Sequence, residues 1–343
     1  MFKVKQLAVA AAITLVAGAA MASNFRAGDQ IYVPAAGHAS SQTATFISDL
    51  FISNLTDDNV DISVIYATGT NPQASNNTFL TFPKVLTLLP RERRELKDFM
   101  KNTLNLQSAL GQLIFNACLA GQTCTADANN SNANFRNISV ESRIFSIPLN
   151  GDPNTAPTNG QLFAGIPWYN YVSSTVSGPG LDKVFITGIR NTDQYRTNMG
   201  FVNASQFSIT TITATLYSGT GTQLAQSSFT LQPLGWIQAQ VGTPSLFPTF
   251  TKGATSTGAY VIVQQGGTTA TTEGKDFGCA DGCPAFLTYG SQLDNQTQDA
   301  TTLEPQYLIP LNANSIQCIY QPEIANCLAK VGAAPHHAVK HQF

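Results

Sequence analysis

Apolar and polar residues alternate along most of the chain. Ile212, Ala214 and Leu216 alternate with Thr211, Thr213, Thr215 and Tyr217, the period of two that marks a strand with one buried face. The turn signal SGTG follows, and QLAQSSFTLQP returns the chain with Phe229 and Leu231 on one face. The same pattern predicts strands at GAYVIVQQ and AFLTYGSQL, and in the first half, where Val60, Ile62, Val64 and Tyr66 alternate with Asp61, Ser63, Ile65 and Ala67. Helical periodicity is nearly absent. The exception is RERRELKDFMKNTL after Pro90, which predicts one short charged helix across the end of the first sandwich. Short strands with close turn signals predict an all-β fold of Ig-like antiparallel β-sandwiches.

The pattern occurs twice. FISDLFISNLT (Phe46 to Thr56) parallels YRTNMGFVNAS (Tyr195 to Ser205), with Asp49 opposite Asn198 and Asn54 opposite Asn203. Downstream, Tyr66 faces Tyr217, LTLLP ending at Pro90 faces FTLQP ending at Pro233, and QLFAGIP (Gln161 to Pro167) faces QYLIP (Gln306 to Pro310). Four matches in one order predict a tandem duplication. The expected organisation is a signal peptide over 1–22, a first sandwich over 23–173, a Gly- and Pro-rich linker over 174–182 and a second sandwich over 183–312. A disulfide-pinned extension with a His-containing tail fills 313–343.

The leader sets the compartment. Lys3 and Lys5 precede an apolar run from Leu7 to Ala20, and Ala20-Met21-Ala22 supplies small residues before a cleavage point, the anatomy of a bacterial secretory signal peptide. The run is shorter than the roughly 20 residues that span a bilayer, so no membrane span is expected after cleavage. Without Lys3 and Lys5, 16 basic and 20 acidic side chains remain, a net charge of −4. Such a chain has no electrostatic footprint for nucleic acid or anionic lipid. Charged residues make up only 11% of the sequence; Ser, Thr, Asn, Gln and Gly fill the polar positions, as suits strands better than helix surfaces.

Six cysteines fall in three close pairs, Cys118 with Cys124, Cys279 with Cys283 and Cys318 with Cys327. In an oxidising compartment, nearest-neighbour disulfides are the simplest connectivity. The rival, a zinc site built from the last four, has looser spacing than zinc knuckles use. No Gly-x-Ser-x-Gly elbow, His-Glu-x-x-His, Walker loop or dinucleotide fingerprint is present. His38 stands alone in a predicted loop with no marked partner, and His336, His337 and His341 sit in the tail. No catalytic set, metal or cofactor is therefore expected. Candidate ligand-binding residues are of two kinds. Trp168, Tyr169 and Tyr171 in PWYNYV are either a sugar-stacking platform or packing between the sandwiches. Arg190 and Arg196 are either ligands for an anion or, with Asn198, satisfy backbone carbonyls at a strand edge.

RNTDQYRTNMGFVN, LQPLGWIQAQV, GAYVIV and AFLTYGSQLDNQTQD occur in that order over Lys183 to Pro310, and more loosely over Gln30 to Pro167. This arrangement resembles a repeat of uncharacterised exported bacterial proteins, tandem β-sandwich units with an RTNLGLVN-type strand and a Y-x-S-x-x-D-N-x-T-x-D strand. The resemblance implies the fold and carries no catalytic residues.

Three classes of function follow. The leading one is a non-enzymatic protein of the cell surface or extracellular matrix, with a periplasmic location as the variant. It would be structural or adhesive, associating with itself or another surface protein by strand pairing. The segment NFRAGDQIYVP (Asn24 to Pro34) is expected to pair in trans. The second class is a carbohydrate-binding protein using the aromatics near Trp168. The third is an outer-membrane β-barrel, suggested by Phe343, although GAAPHHAVKHQF alternates only weakly and contains a proline.

Overall fold

The computed structural model describes residues 27–42, 44–68, 79–122, 124, 134–156, 158–167, 183–204, 208–242, 246–253, 258–270, 286–297 and 299–307. The leader, the linker, PWYNYV beyond Pro167, the last four cysteines and the tail lie outside these residues.

The first half contains β1 (Gln30–Ser40), β2 (Ala44–Asn54), β3 (Val60–Thr68), β4 (Phe79–Leu88), β5 (Arg93–Leu96), α1 (Phe99–Asn102), β6 (Ala109–Leu119), β7 (Ile138–Pro148), β8 (Asn159–Ala164) and β9 (Ile166–Pro167). The second half contains β10 (Lys183–Thr187), β11 (Tyr195–Asn203), β12 (Ser208–Tyr217), β13 (Gln223–Leu231), β14 (Trp236–Gln240), β15 (Tyr260–Ala270), β16 (Phe286–Asp294), β17 (Ala300–Leu303) and β18 (Gln306–Tyr307). The chain is an all-β sandwich protein, and every strand pairing is antiparallel.

Among the described residues each half has nine strands, and they pair in the same order. In the second half one sheet runs β13-β12-β15-β10-β18 and the other β14-β11-β16-β17. In the first, β4-β3-β6-β1 with β9 beside β1 forms one layer, and β2-β7-β8 with β5 beside β2 forms the other. The layers of the first half join at a corner, because β1 and β2 extend into a shared hairpin with His38 opposite Ile47 and Ser40 opposite Thr45. The pairing fixes equivalent residues. Pro167 lies opposite Ile31 in β1, as Tyr307 lies opposite Val184 in β10, so QLFAGIP and QYLIP are three residues out of step with the topology.

Apolar side chains of alternating strand positions meet between the layers. Val33, Leu50, Ile52, Val64, Leu113, Phe115 and Val140 build the first core, and Ile186, Met199, Phe201, Ile212, Leu216, Val261 and Phe286 the second. The segment after β5 and its counterpart after β14 close the end of each core, with Phe99 and Met100 in one and Phe247 and Phe250 in the other.

The short helix expected after Pro90 is present but shorter than RERRELKDFMKNTL, whose charged first part is a strand. Arg93–Leu96 pairs with β2, and its residues alternate between exposed and half-buried. Helix follows for one turn only, Phe99–Asn102, entered through Asp98 at φ 43°. Arg, Glu and Lys favour helix locally, but pairing with β2 overrides that preference. The N-terminal segment is not free to pair in trans either. Residues from Gln30 onward lie inside the sheet, with β6 on one side and β9 and β2 on the other. Among the described residues no helix is long and apolar enough to cross a membrane.

Candidate interaction surfaces

The four outer sheet faces differ sharply in chemistry. Two of them bury each other. From the first half, Tyr32 and Ala35 of β1, Ile65 and Ala67 of β3 and Ile114 of β6 pack against Val202, Leu234, Trp236, Leu287 and Tyr289 of the second. Phe163 of β8 meets Tyr289 edge to face at 5.2 Å. Polar groups cross the same boundary. Gln112 Nε2 donates to the Leu234 carbonyl at 2.9 Å, Ser291 Oγ to Gln161 Oε1 at 2.9 Å and Thr302 Oγ1 to the Leu162 carbonyl at 2.7 Å. The Tyr32 hydroxyl lies 3.2 Å from Gln30 Oε1 and 3.4 Å from the Ala204 carbonyl oxygen, and Gln30 Nε2 donates to Asn116 Oδ1 at 2.7 Å. Burial pushes the Tyr289 hydroxyl well above the ordinary tyrosine range, and it donates to Gln238 Oε1 at 2.9 Å.

Gly200 makes that packing possible. It sits opposite Tyr289 on the paired strand, and a Cβ there would fall 2.0 Å from the Tyr289 ring. The ring therefore lies across the bare backbone. Beside it, an apolar groove of about 530 Å³, open mouth included, is walled by Pro34, Phe163, Gly165, Pro167, Tyr289 and Pro305.

The third face, on β5-β2-β7, carries charges where its counterpart carries rings. With Asn54 and Asn203 as equivalent strand ends, Arg93 opposite Ser53 takes the place of Trp236 opposite Val202. Glu141 opposite Phe51 takes the place of Tyr289 opposite Gly200. Arg93 Nη2 bonds Glu141 Oε2 at 3.1 Å and its guanidinium covers the Phe51 ring at 5.3 Å; Arg143 covers Phe145 at 4.5 Å. The charged residues ahead of the short helix thus form the solvated version of a face that is buried in the other half.

The fourth face is the outer side of β13-β12-β15-β10-β18. Phe185, Tyr260 and Tyr217 form a line of half-buried rings across it, with centroids 5.9 Å and 5.3 Å apart. At its margin β13 is an edge strand, and its nine residues include no charge and no proline. The equivalent edge, β4, carries Pro83 and Lys84, residues that blunt edge pairing; each edge has one register shift against its neighbour.

The sequence candidates fall as follows. Trp168, Tyr169 and Tyr171 lie outside the described residues. The Arg190 guanidinium stacks on the Tyr195 ring at 4.8 Å, and its backbone exchanges two hydrogen bonds with Thr197 Oγ1, both at 2.9 Å. Arg196 lies on a strand paired on both sides, not at an edge. It donates to Asn295 Oδ1 at 2.6 Å, and Asn295 donates in turn to the Asp193 carbonyl at 3.0 Å. Cys118 and Cys124 form a disulfide; Cys279, Cys283, Cys318 and Cys327 lie outside the described residues.

His38 is neither in a loop nor alone. It belongs to β1, and its Nδ1 lies 2.9 Å from Asp98 Oδ1. The Asp98 backbone N–H donates to buried Asp49 at 2.9 Å, and Lys97 Nζ reaches the other Asp49 oxygen at 3.3 Å. Nothing local in the sequence announces this cluster, because its members are joined only when β5 pairs with β2. Ser48, beside it, is fully buried and accepts from the Gly37 N–H at 2.8 Å, so it offers substrate no approach. Among the described residues no group of acidic, His and Cys side chains is arranged to hold a metal.

No family model matches the chain, and no curated protein sequence matches it. Solved structures with weak likeness include broad bean stain virus by cryo-EM, 8% identical, covering 82% of this chain and 91% of that one with a TM-score of 0.22. Another is Bacteroides uniformis β-glucuronidase 2 covalently bound to cyclophellitol-6-carboxylate aziridine, 9% identical, covering 80% of this chain and 25% of that one with a TM-score of 0.14. Likeness this slight carries no argument about function.

Proposed function

We propose that the chain is an exported, non-enzymatic structural or adhesive protein of the cell surface or extracellular matrix, associating with further copies of itself. The observation that supports this reading is the contrast between its two equivalent edges. β4 carries Pro83 and Lys84, whereas β13, QLAQSSFTL, is long and has neither charge nor proline. Soluble sandwiches keep such an edge where a partner covers it. The edge proposed for pairing is therefore β13, in place of Asn24 to Pro34, within which Ile31 and Tyr32 are already paired on both sides.

A deletion strain complemented with wild type or with Ser227→Lys tests the reading. Ser227 lies on the inward side of β13, and a charge pointing inward at an edge opposes pairing. Restored attachment or biofilm with wild type and failure with folded Ser227→Lys is the expected result; equal rescue by both removes the edge from the account.

A second reading, glycan binding, draws on the groove walled by Phe163 and Tyr289, which ends at Pro167, one residue before Trp168. A glycan pull-down with and without Trp168→Ala decides it.

A further inference from the structure

Two outer faces bury each other within the chain and a third is covered by paired charges, which leaves the outer face of β13-β12-β15-β10-β18. The five strands of that sheet contain one charged residue, Lys183 at its margin. Phe185 and Tyr260 are inclined by 26°, Tyr260 and Tyr217 by 11°. Rings so nearly parallel with centroids about 5–6 Å apart are stacked, not spread in one plane, so the ridge offers ring edges and phenol groups more than a flat platform. Leu224, 42% exposed, adjoins Tyr217 at a register shift between β12 and β13. Hydroxyls and amides surround the ridge. Thr213 Oγ1 lies 2.9 Å from Ser228 Oγ, Thr211 Oγ1 3.3 Å from Thr230 Oγ1, and Gln226 Nε2 donates to Thr215 Oγ1 at 3.3 Å.

By strand order this face is the counterpart of the first-half face that the second half covers. The covered face docks through the same residue types, with Tyr32 beside Ala204 and Gln112 bonded to Leu234. Tyrosine supplies contact area at small entropic cost, and amides and hydroxyls adapt to whatever polar groups they meet. We propose that the outer face of β13-β12-β15-β10-β18 is a docking surface for a second copy of this chain, the two faces packed on each other about a twofold axis. Charge selects that arrangement. Docking on the copy's β5-β2-β7 face would desolvate the Arg93–Glu141 pair, and the copy's other two faces are already buried. A neutral face against itself opposes no like charges except Lys183 at the margin, and twofold self-complementary contacts are the commonest in oligomers. The inference rests on the self-association proposed above and names a face, distinct from the β13 edge, as the contact.

Sedimentation equilibrium of the mature chain, from micromolar to millimolar, tests it. Wild type should dimerise reversibly and Tyr260→Phe should keep the dimer. Tyr260→Arg should lose it, since it would bury a charge in a contact built from uncharged residues; Thr213→Arg, a second site on the same face, should do the same. Should one arginine variant fail to fold, the other decides. A wild type monomeric throughout overturns the proposal, as does a dimer that survives a folded arginine variant and disappears with Ser227→Lys. A monomer still required for attachment removes the face contact and leaves the structural role. A face-dependent dimer with no attachment phenotype does the reverse.

Discussion

Asn54 and Asn203 make the same hydrogen bond in the two halves. Asn54 Nδ2 donates to the Leu89 carbonyl at 2.8 Å, and Asn203 Nδ2 donates to the Gln232 carbonyl at 3.0 Å; each acceptor directly precedes a proline. The turns match as well. Glu92 N–H bonds Leu89 and Gly235 N–H bonds Gln232, while Arg91 and Leu234, the residues after the prolines, take φ of 59° and 53°. Each amide fastens the end of one layer to the connection leaving the other, so the sandwich closes identically twice.

Replacing either amide by alanine removes a link between the two layers, while the Leu89 and Gln232 carbonyls keep the turn hydrogen bonds from Glu92 and Gly235, so the cost is about 1 kcal/mol each. Asn54→Ala and Asn203→Ala should both lower the denaturant midpoint in equilibrium unfolding. The pair should behave additively, since the sites share no partners. Coupling well beyond additivity would contradict independent closures.

This much was legible in the sequence because it is local. Asn54 and Pro90 recur in the same order as Asn203 and Pro233, and the strands alternate. What was not legible depends on contacts between distant segments. RERREL reads as helix until β2 is placed beside it, and His38 reads as solitary until that pairing delivers Asp98. The packing of the halves was hidden for another reason. A strand buried on both faces, such as VDISVIYAT, shows alternation with apolar residues at Ile65 and Ala67 among the nominally outward positions, and that small excess was the available signal. Likewise LGWIQAQ, with Trp236 and no charge, against the charges of RERREL separates the covered face from the solvated one.

Gly200→Ala should destabilise the protein by about 3 kcal/mol, because the added methyl strikes the buried Tyr289 ring and neither neighbour can move away. Gly221→Ala is the control. Gly221 has φ +84° with nothing within 4 Å of its missing Cβ, so its cost is backbone strain of about 1–2 kcal/mol. Thermal unfolding of both variants checks the order.

Acid should loosen the β3–β4 hairpin. Burial alone would raise the Asp61 carboxyl, but hydrogen bonds from Thr87, the Gly121 N–H and Lys84 outweigh it and hold the group below its ordinary 3.8. A carboxyl depressed in the folded state contributes stability that is fully present above the unfolded value and lost as pH falls through the folded one. Unfolding free energy measured from neutral pH to below 3.8 should therefore decline at the acid end, and Asp61→Asn should flatten part of that decline.

Cys118 and Cys124 close a loop beside the same carboxylate, since Gly121 lies within it and bonds Asp61. A cross-link over so short a loop is worth roughly 2 kcal/mol in the chain-entropy view. Reduction or Cys124→Ser should cost about that much without altering the fold. Peptide mapping of the oxidised mature chain should recover Cys118–Cys124, and is expected to show Cys279–Cys283 and Cys318–Cys327 beside it.

The proposal that the chain works outside the cell as a structural surface component is checked by fractionation of the source cells with protease treatment of intact cells. The account predicts a chain shortened by 22 residues, found on the surface or in the matrix and removed by external protease while periplasmic and cytoplasmic markers survive. A full-length chain retained in the cytoplasm, untouched by protease until the cells are lysed, would contradict it.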